Sequence, residues 1–352
     1  MRIAQLAPTY ERVPPAAYGG TELVVSLITE ELVQRGHDVT LYASGDSETA
    51  AELRSVAPRA ARYGDVVDGV RHAEYFQLLN AQACFADAAA GAFDIVHNHA
   101  GIEGLVLASA SRTPVLTTNH NPFVAQTQPA WDAYPWAHNA LSAASAATFP
   151  ARGAVPPIHH GIDVRSFPFG DRPTDDLLFL GRFSPEKGAA RAIEAAVRSG
   201  RRLTLAGKVD PADRAHFAAA IQPRLDGEQI RYVGEADGAM KRELLASARA
   251  LLFPIEWDEP FGLVMIEAMS CGTPVLGFRR ASVPEVVEDG LTGFVVDDID
   301  RLVDAIPRAD TIDRAACRRR AEERFGFARM VDDYERAYAE VVEGATSLAG
   351  RR

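Results

Sequence analysis

Two glutamates, Glu259 and Glu267, are separated by seven residues in Glu256-Trp257-Asp258-Glu259-Pro260-Phe261-Gly262-Leu263-Val264-Met265-Ile266-Glu267. Leu251-Leu252-Phe253-Pro254 ahead of them is a short apolar run stopped by proline, the pattern of a buried strand. A helix is expected from Gly262 to Ser270, with Leu263, Ile266 and Met269 on its inner side and Gly272-Thr273-Pro274 ending it. Glu259 therefore falls in a loop and Glu267 in the following helix, two turns further on. A helix N-terminus offers unpaired N–H groups and partial positive charge, which attract a pyrophosphate. Gly262, lacking a side chain, lets the backbone come close to a ligand. Glu267 can then reach a ribose diol and Glu259 sugar hydroxyls, each charge-assisted bond contributing roughly 1.5–3 kcal/mol. Glutamates are usually solvated, but the strand–loop–helix setting favours a ligand with both phosphate and hydroxyl groups, as in a sugar nucleotide.

A second motif, Gly181-Arg182-Phe183-Ser184-Pro185-Glu186-Lys187-Gly188, follows a strand and opens a helix. Its two cations suit a diphosphate, Arg182 by its planar fork and Lys187 as a point charge. Pro14-Pro15-Ala16-Ala17-Tyr18-Gly19-Gly20-Thr21-Glu22 follows the first strand. It is not GxGxxG and lacks the acidic residue of a dinucleotide fold, which disfavours a dehydrogenase. Thr117-Thr118-Asn119-His120 closes another strand, and His97-Asn98-His99 ends the one before it, which puts His99 at the same sheet edge and makes it a candidate acceptor-binding residue. Asp298-Ile299-Asp300 is formally a DxD metal motif, but its place before a helix reads better as a cap from Asp297 or Asp298. Metal independence is expected.

The Glu259–Glu267 segment resembles the donor-site signature of the retaining GT-B glycosyltransferases of family 4 (glycosyl transferases group 1). The resemblance extends over essentially the whole chain. It implies that Glu259 contacts the donor sugar hydroxyls, that the amides of Gly262 and Leu263 after Phe261 meet the phosphates, and that Glu267 holds the ribose. It likewise places Arg182 and Lys187 on the donor diphosphate, where the leaving group's charge is stabilised. Gly19 and Gly20 approach the donor phosphate and sugar, His120 lies beside the sugar and reacting centre, and Asp237 in Tyr232-Val233-Gly234-Glu235-Ala236-Asp237 stands at the base-binding position. His159-His160-Gly161-Ile162-Asp163 matches the family's Asn-Gly-Ile/Val-Asp element with histidine in place of the asparagine.

These groups need elements to position them. In the N-terminal half, strands are expected at Ile3–Leu6, Val39–Tyr42, Asp94–His97 and Val115–Thr118. Helices are expected at Glu22–Arg35 (Leu23, Leu27 and Ile28 inward, Thr21 and Gly36 as caps), His72–Ala90 and Ile102–Ser111. Pro150, Pro156, Pro157, Pro168 and Pro173 mark a linker. A second series follows at Leu177–Leu180, Leu203–Ala206, Ile230–Val233, Leu251–Phe253, Val275–Gly277 and Phe294–Val296. The fold class is α/β: two Rossmann-like, doubly wound domains of the GT-B plan, facing an interdomain cleft. An acceptor-binding domain is expected over residues 1–165, completed by a returning helix near 327–346 with Tyr334 and Tyr338, and a donor-binding domain over 166–326.

The 352 residues suffice for two domains. Net charge is −11, from 37 basic and 48 acidic residues, and the first lysine is Lys187. Such a surface argues against nucleic acid and against docking on anionic lipid, despite a small basic cluster at Arg54, Arg59 and Arg62. Cys84, Cys271 and Cys317 are too few and too scattered for a disulfide set or zinc site. With no signal peptide and no transmembrane segment in the sequence, a cytoplasmic setting is expected.

The resulting expectation is a retaining, metal-independent hexosyl transfer from a nucleoside-diphosphate sugar to a hydroxyl of a soluble small-molecule or glycan acceptor. UDP-glucose and GDP-mannose are the leading donors, UDP first, and no separate cofactor is required. Two other classes stay open: a sugar-nucleotide 2-epimerase of the same fold, which needs no acceptor, and a non-catalytic nucleotide-sugar binding protein.

Overall fold

The structure, a computed structural model, describes residues 1–16, 19–61, 66–67 and 70–349. Tyr18 of the glycine loop and Arg62 of the basic cluster lie outside the described residues. The chain forms two compact units. One comprises Met1–Gly161 with the segment that begins at Phe327, and the other comprises Ile162–Gly326.

The first unit is built on six strands: β1 (Arg2–Leu6), β2 (Asp38–Tyr42), β3 (Glu52–Arg54), β4 (Ile95–Asn98), β5 (Val115–Thr118) and β6 (Ala137–Asn139), in spatial order β3-β2-β1-β4-β5-β6. All neighbours pair in parallel, Ile3 with Val39 on one side and with Ile95 on the other. Strands covered on both faces are rich in apolar and β-branched residues, which is why β1 and β5 are legible in the sequence although Gln5, Thr117 and Thr118 are buried in them. β3 and β6 are three-residue edge strands with polar residues, so they carry no such signal.

Helix α1 (Gly20–Gln34) is capped by the backbone of Gly19 and not by the Thr21 side chain. Its buried apolar residues are Val24, Val25, Ile28 and Leu32, with Leu23 and Leu27 half-buried on the adjacent row. Glycine serves as the cap because Gly19 has φ 157°, and a Cβ there would lie 2.6 Å from the Pro15 Cβ. Helices α2 (His72–Ala89) and α3 (Gly101–Ala108) link the later strands.

The second unit repeats the plan with β7 (Leu177–Leu180), β8 (Leu203–Ala206), β9 (Ile230–Tyr232), β10 (Ala250–Phe253), β11 (Val275–Phe278) and β12 (Gly293–Val296), in order β9-β8-β7-β10-β11-β12, again all parallel. Its helices include α4 (Ala189–Ser199), α5 (Gly238–Ser247), α6 (Leu263–Ser270) and α7 (Arg314–Phe325). In each sheet the chain direction of strand addition reverses at the first strand, and ligands of such sheets bind outside the carboxyl ends of the strands at that point. These points are β1/β4 in the first unit and β7/β10 in the second.

The last helix, α8 (Phe327–Ala349), belongs to the first unit and buries Met330, Val331, Tyr334 and Tyr338 there. Its i, i+4 spacing makes one continuous face. Cys84, Cys271 and Cys317 are free buried thiols, and burial pushes Cys271 and Cys317 up to about 12. Among the described residues no helix is long and apolar enough to cross a membrane.

Candidate functional site

The second unit gathers both of the cation-and-carboxylate motifs at β7/β10. The loop after β7 carries Arg182 and Lys187, and the loop after β10 carries Trp257, Glu259 and Gly262. These two strands are neighbours, Leu177 pairing with Ala250 and Leu178 with Leu251. Strand adjacency therefore brings together residues 72 positions apart: the Lys187 ammonium contacts Glu259 Oε2. Trp257 donates its indole N–H to the same oxygen at 2.8 Å, and the ammonium lies 4.4 Å above the Trp257 ring centroid. Both partners are largely buried, with side-chain exposures of 17% for Lys187 and 12% for Glu259.

Two glycines permit this approach. Gly188 caps α4 with φ 78°, and a Cβ on it would lie 1.9 Å from the Pro254 carbonyl oxygen. Gly262 caps α6 with φ 84°, and a Cβ there would meet Met265 Cε at 2.8 Å. The Phe261 ring is buried, and its carbonyl accepts from Ser282 Oγ at 2.7 Å, which anchors the turn into α6.

Glu267 is the fifth residue of α6, a little over one turn from Gly262 and closer to the helix start than two turns. Its carboxylate is 5% exposed and takes Lys241 Nζ of α5 at 2.6 Å. Met265 and Ile266 face the core, whereas Leu263 is half-buried, so its amide and not its side chain is what the site can use.

Arg182 is turned along its own loop. It donates to Glu186 Oε1 at 3.0 Å and lies 3.5 Å from Asp213 Oδ2, where burial, only partly offset by Arg182, raises the carboxyl above its ordinary value. Arg182 and Lys187 share the loop yet have different acidic partners. Asp237 caps α5, accepting from Met240 N at 2.8 Å, so its carboxylate serves the helix. Asp298 likewise caps a later helix through Arg301 N at 2.9 Å, and Asp300 pairs with Arg198 at 2.6 Å.

The first unit collects the histidines at the carboxyl ends of β4 and β5. His99 Nδ1 lies 2.8 Å from His120 Nε2, and His99 Nε2 lies 3.0 Å from Gln5 Oε1. The His120 and His160 rings stack with centroids 5.3 Å apart. His97, His99 and His160 are buried, while His120 is partly accessible. Burial pushes all four imidazoles below their ordinary value, His120 to about 3. Neutral rings are therefore the working form. Gly19 and Gly20 stand at the start of α1, where Glu22 Oε2 would lie 3.2 Å from a Cβ on Gly19.

Sequence reasoning missed Trp257 and Lys241. Trp257 is two residues from Glu259 in an aromatic-acidic loop, a readable signal. Lys241 is 26 residues from Glu267, and only the packing of α5 on α6 discloses it.

Comparison with known proteins bears on the family and the fold. The family described as glycosyl transferases group 1 matches residues 169–324, and glycosyltransferase family 4 matches residues 18–164. A glycogen synthase of Mycobacterium tuberculosis is 32% identical over 214 residues, 58% of this chain and 50% of that one. The chain thus spans about half the length of that relative. The crystal structure of AviGT4, a glycosyltransferase involved in avilamycin A biosynthesis, superposes with a TM-score of 0.72 at 25% identity, covering 98% of each chain. Anabaena HepE in complex with UDP-glucose shares the fold, with a TM-score of 0.72 at 17% identity over 97% of this chain and 100% of that one. With both of its units matched, the chain belongs to the family-4 glycosyltransferases of GT-B fold.

Proposed function

We propose that the protein transfers a hexose from a nucleoside-diphosphate sugar to an acceptor hydroxyl, with retention of anomeric configuration and without a metal ion. The contact between Lys187 and Glu259 carries this reading. It joins the two donor-type motifs at a strand-order reversal, beside a glycine-headed helix with a buried glutamate.

Each group then has a role that its position supports. Lys187 and Arg182 take the diphosphate oxygens, giving up their carboxylate partners to do so. The amides of Gly262 and Leu263 receive a phosphate at the start of α6. Glu259, still held by Trp257, turns to the sugar hydroxyls. Glu267 holds the ribose diol while Lys241 keeps its carboxylate oriented. In the first unit, Gly19 and Gly20 are assigned to the sugar and its phosphate and His120 to the sugar hydroxyls, whereas His99, buried with both ring nitrogens engaged by Gln5 and His120, holds His120 and does not itself reach the acceptor. Two cations and helix amides supply the charge that a metal would otherwise supply to the leaving diphosphate. The donor is of the UDP-glucose type, the ligand bound by HepE of like fold. The acceptor is a non-membrane hydroxyl compound and the setting cytoplasmic, in keeping with net charge −11.

Calorimetric titration with UDP, GDP and ADP in the presence of EDTA tests this. Tight binding of one nucleotide is the expected result. Binding that needs added metal would remove the roles given to Arg182 and Lys187.

A further inference from the structure

The histidines of the first unit belong to a hydrogen-bond relay whose direction can be followed proton by proton. Asn139 donates from Nδ2 to the Ala140 carbonyl at 3.3 Å, which turns its Oδ1 towards Thr118. The Thr118 hydroxyl donates to that oxygen at 2.7 Å. Thr118 Oγ1 must then accept from His97 Nε2, 2.7 Å away. A neutral His97 has one proton, so its Nδ1 accepts from the Tyr338 hydroxyl at 2.6 Å. The Tyr338 oxygen in turn accepts from Gln5 Nε2 at 3.1 Å. Gln5 Oε1 accepts from His99 Nε2 at 3.0 Å. His99, also neutral, is left with Nδ1 as an acceptor, and His120 Nε2 donates to it at 2.8 Å.

We propose that this relay holds His120 as the Nε2–H tautomer with Nδ1 presented as a hydrogen-bond acceptor, and that Gln5, His99 and Tyr338 are the positioning residues that set it. Two amides, Gln5 and Asn139, fix the direction, and they agree. Running the relay backwards needs both reversed, and a reversed Asn139 would set its oxygen against the Ala140 carbonyl. His160, standing where the family has asparagine, stacks on His120 at 25° between ring planes and covers one face of it. The last helix of the chain thereby reaches His120 through three hydrogen bonds, from Tyr338 to Gln5 to His99.

A ring of this kind accepts from a group that donates. It selects a hydroxyl and is repelled by a phosphate oxygen or a carbonyl. That the hydroxyl belongs to a sugar rests on the glycosyl-transfer reading above, whereas the tautomer does not.

The test uses the full chain with nitrogen-15 in its histidines. Long-range proton–nitrogen correlation at neutral pH reports which ring nitrogen carries the proton. Nε2–H rings are expected for His97, His99 and His120. Gln5→Met and Tyr338→Phe should each leave His120 a mixture of tautomers and lower kcat for transfer about tenfold with the donor KM unchanged. Tyr338→Phe removes one oxygen and keeps the packing, so it serves where Gln5→Met does not fold. An Nδ1–H or doubly protonated His120 in the parent would overturn the proposal, as would an unaltered His120 in the variants. The expected tautomers with no turnover of any donor would uphold the relay and defeat the glycosyl-transfer reading instead.

Discussion

Lys187 and Glu259 are in contact, and Trp257 holds both of them: its N–H lies 2.8 Å from the carboxylate and its ring lies beneath the ammonium. On the proposed donor-site reading, the tryptophan keeps Glu259 in place when the lysine turns to a phosphate. Glu259→Gln preserves the shape and removes the charge. It is expected to lower kcat by about 100- to 1000-fold, the range found for removing one oriented electrostatic group, with only a modest loss of nucleotide affinity. Lys187→Ala should weaken both. Steady-state kinetics beside calorimetric UDP titration separates the two effects. Undiminished transfer by Glu259→Gln would show that the carboxylate does not touch the reacting sugar.

The Lys241–Glu267 pair makes a separate prediction. Glu267 is almost wholly enclosed and Lys241 supplies its ammonium partner at 2.6 Å. Lys241→Met leaves a buried carboxylate without that partner, at a cost on the order of 3 kcal/mol. Adding Glu267→Gln should recover most of the loss, because a neutral amide needs no counter-charge. Urea denaturation of the parent, both single variants and the double variant forms the cycle. Additive losses would mean that the two groups do not interact.

What the sequence discloses follows from the range of the forces involved. Val115–Thr118 and Leu203–Ala206 are legible because a parallel strand covered on both faces is mostly apolar or β-branched, with Thr117, Thr118 and Thr204 as its buried polar members. The edge strands Glu52–Arg54 and Ala137–Asn139 carry no such demand. The glycines of the donor motifs are equally readable, since Gly188 and Gly262 sit where chain direction changes before a helix. Asp237 looks like a ligand contact when judged by its place after a strand, yet its geometry is that of a helix cap, and both readings use the same residue type. His97 lies in β4 and His99 one residue past its end, where the His99 N–H still bonds the Leu6 carbonyl, so strand alternation puts the two on one face, as their spacing in the sequence states. That Gln5 and Tyr338 complete their hydrogen bonding depends on strand order and on the return of the last helix, to which no local pattern refers.

Gly188 and Gly200 test whether a backbone contact matters beyond the backbone angle. Both are left-handed, with φ 78° and 66°. A Cβ on Gly200 meets nothing within 4 Å, whereas one on Gly188 lies 1.9 Å from the Pro254 carbonyl oxygen. Gly200→Ala should therefore cost only the angle, about 1 kcal/mol. Gly188→Ala must also push apart the loops after β7 and β10, so it should lose more than about 2 kcal/mol and weaken nucleotide binding as well. Equal melting-temperature losses would contradict that close approach.

Buried carboxyls and buried histidines act in opposite directions on the pH dependence of stability in the first unit. Burial pushes Glu22 up to about 7, against its own backbone amide. The folded state then holds a proton that the unfolded state releases, so stability declines as pH rises from about 4.5 to about 7, at about 1.4 kcal/mol per unit. Burial pushes His97, His99, His120 and His160 down, so the unfolded state takes up protons first, and stability declines as pH falls below about 6.5. Glu22→Gln removes only the first of these effects. Its stability relative to the parent should therefore grow between pH 4.5 and 7 and stay level above that, as read from denaturant midpoints at pH 5 and pH 8. A variant-to-parent difference that does not change with pH would mean that Glu22 is ionised in the folded protein across that window.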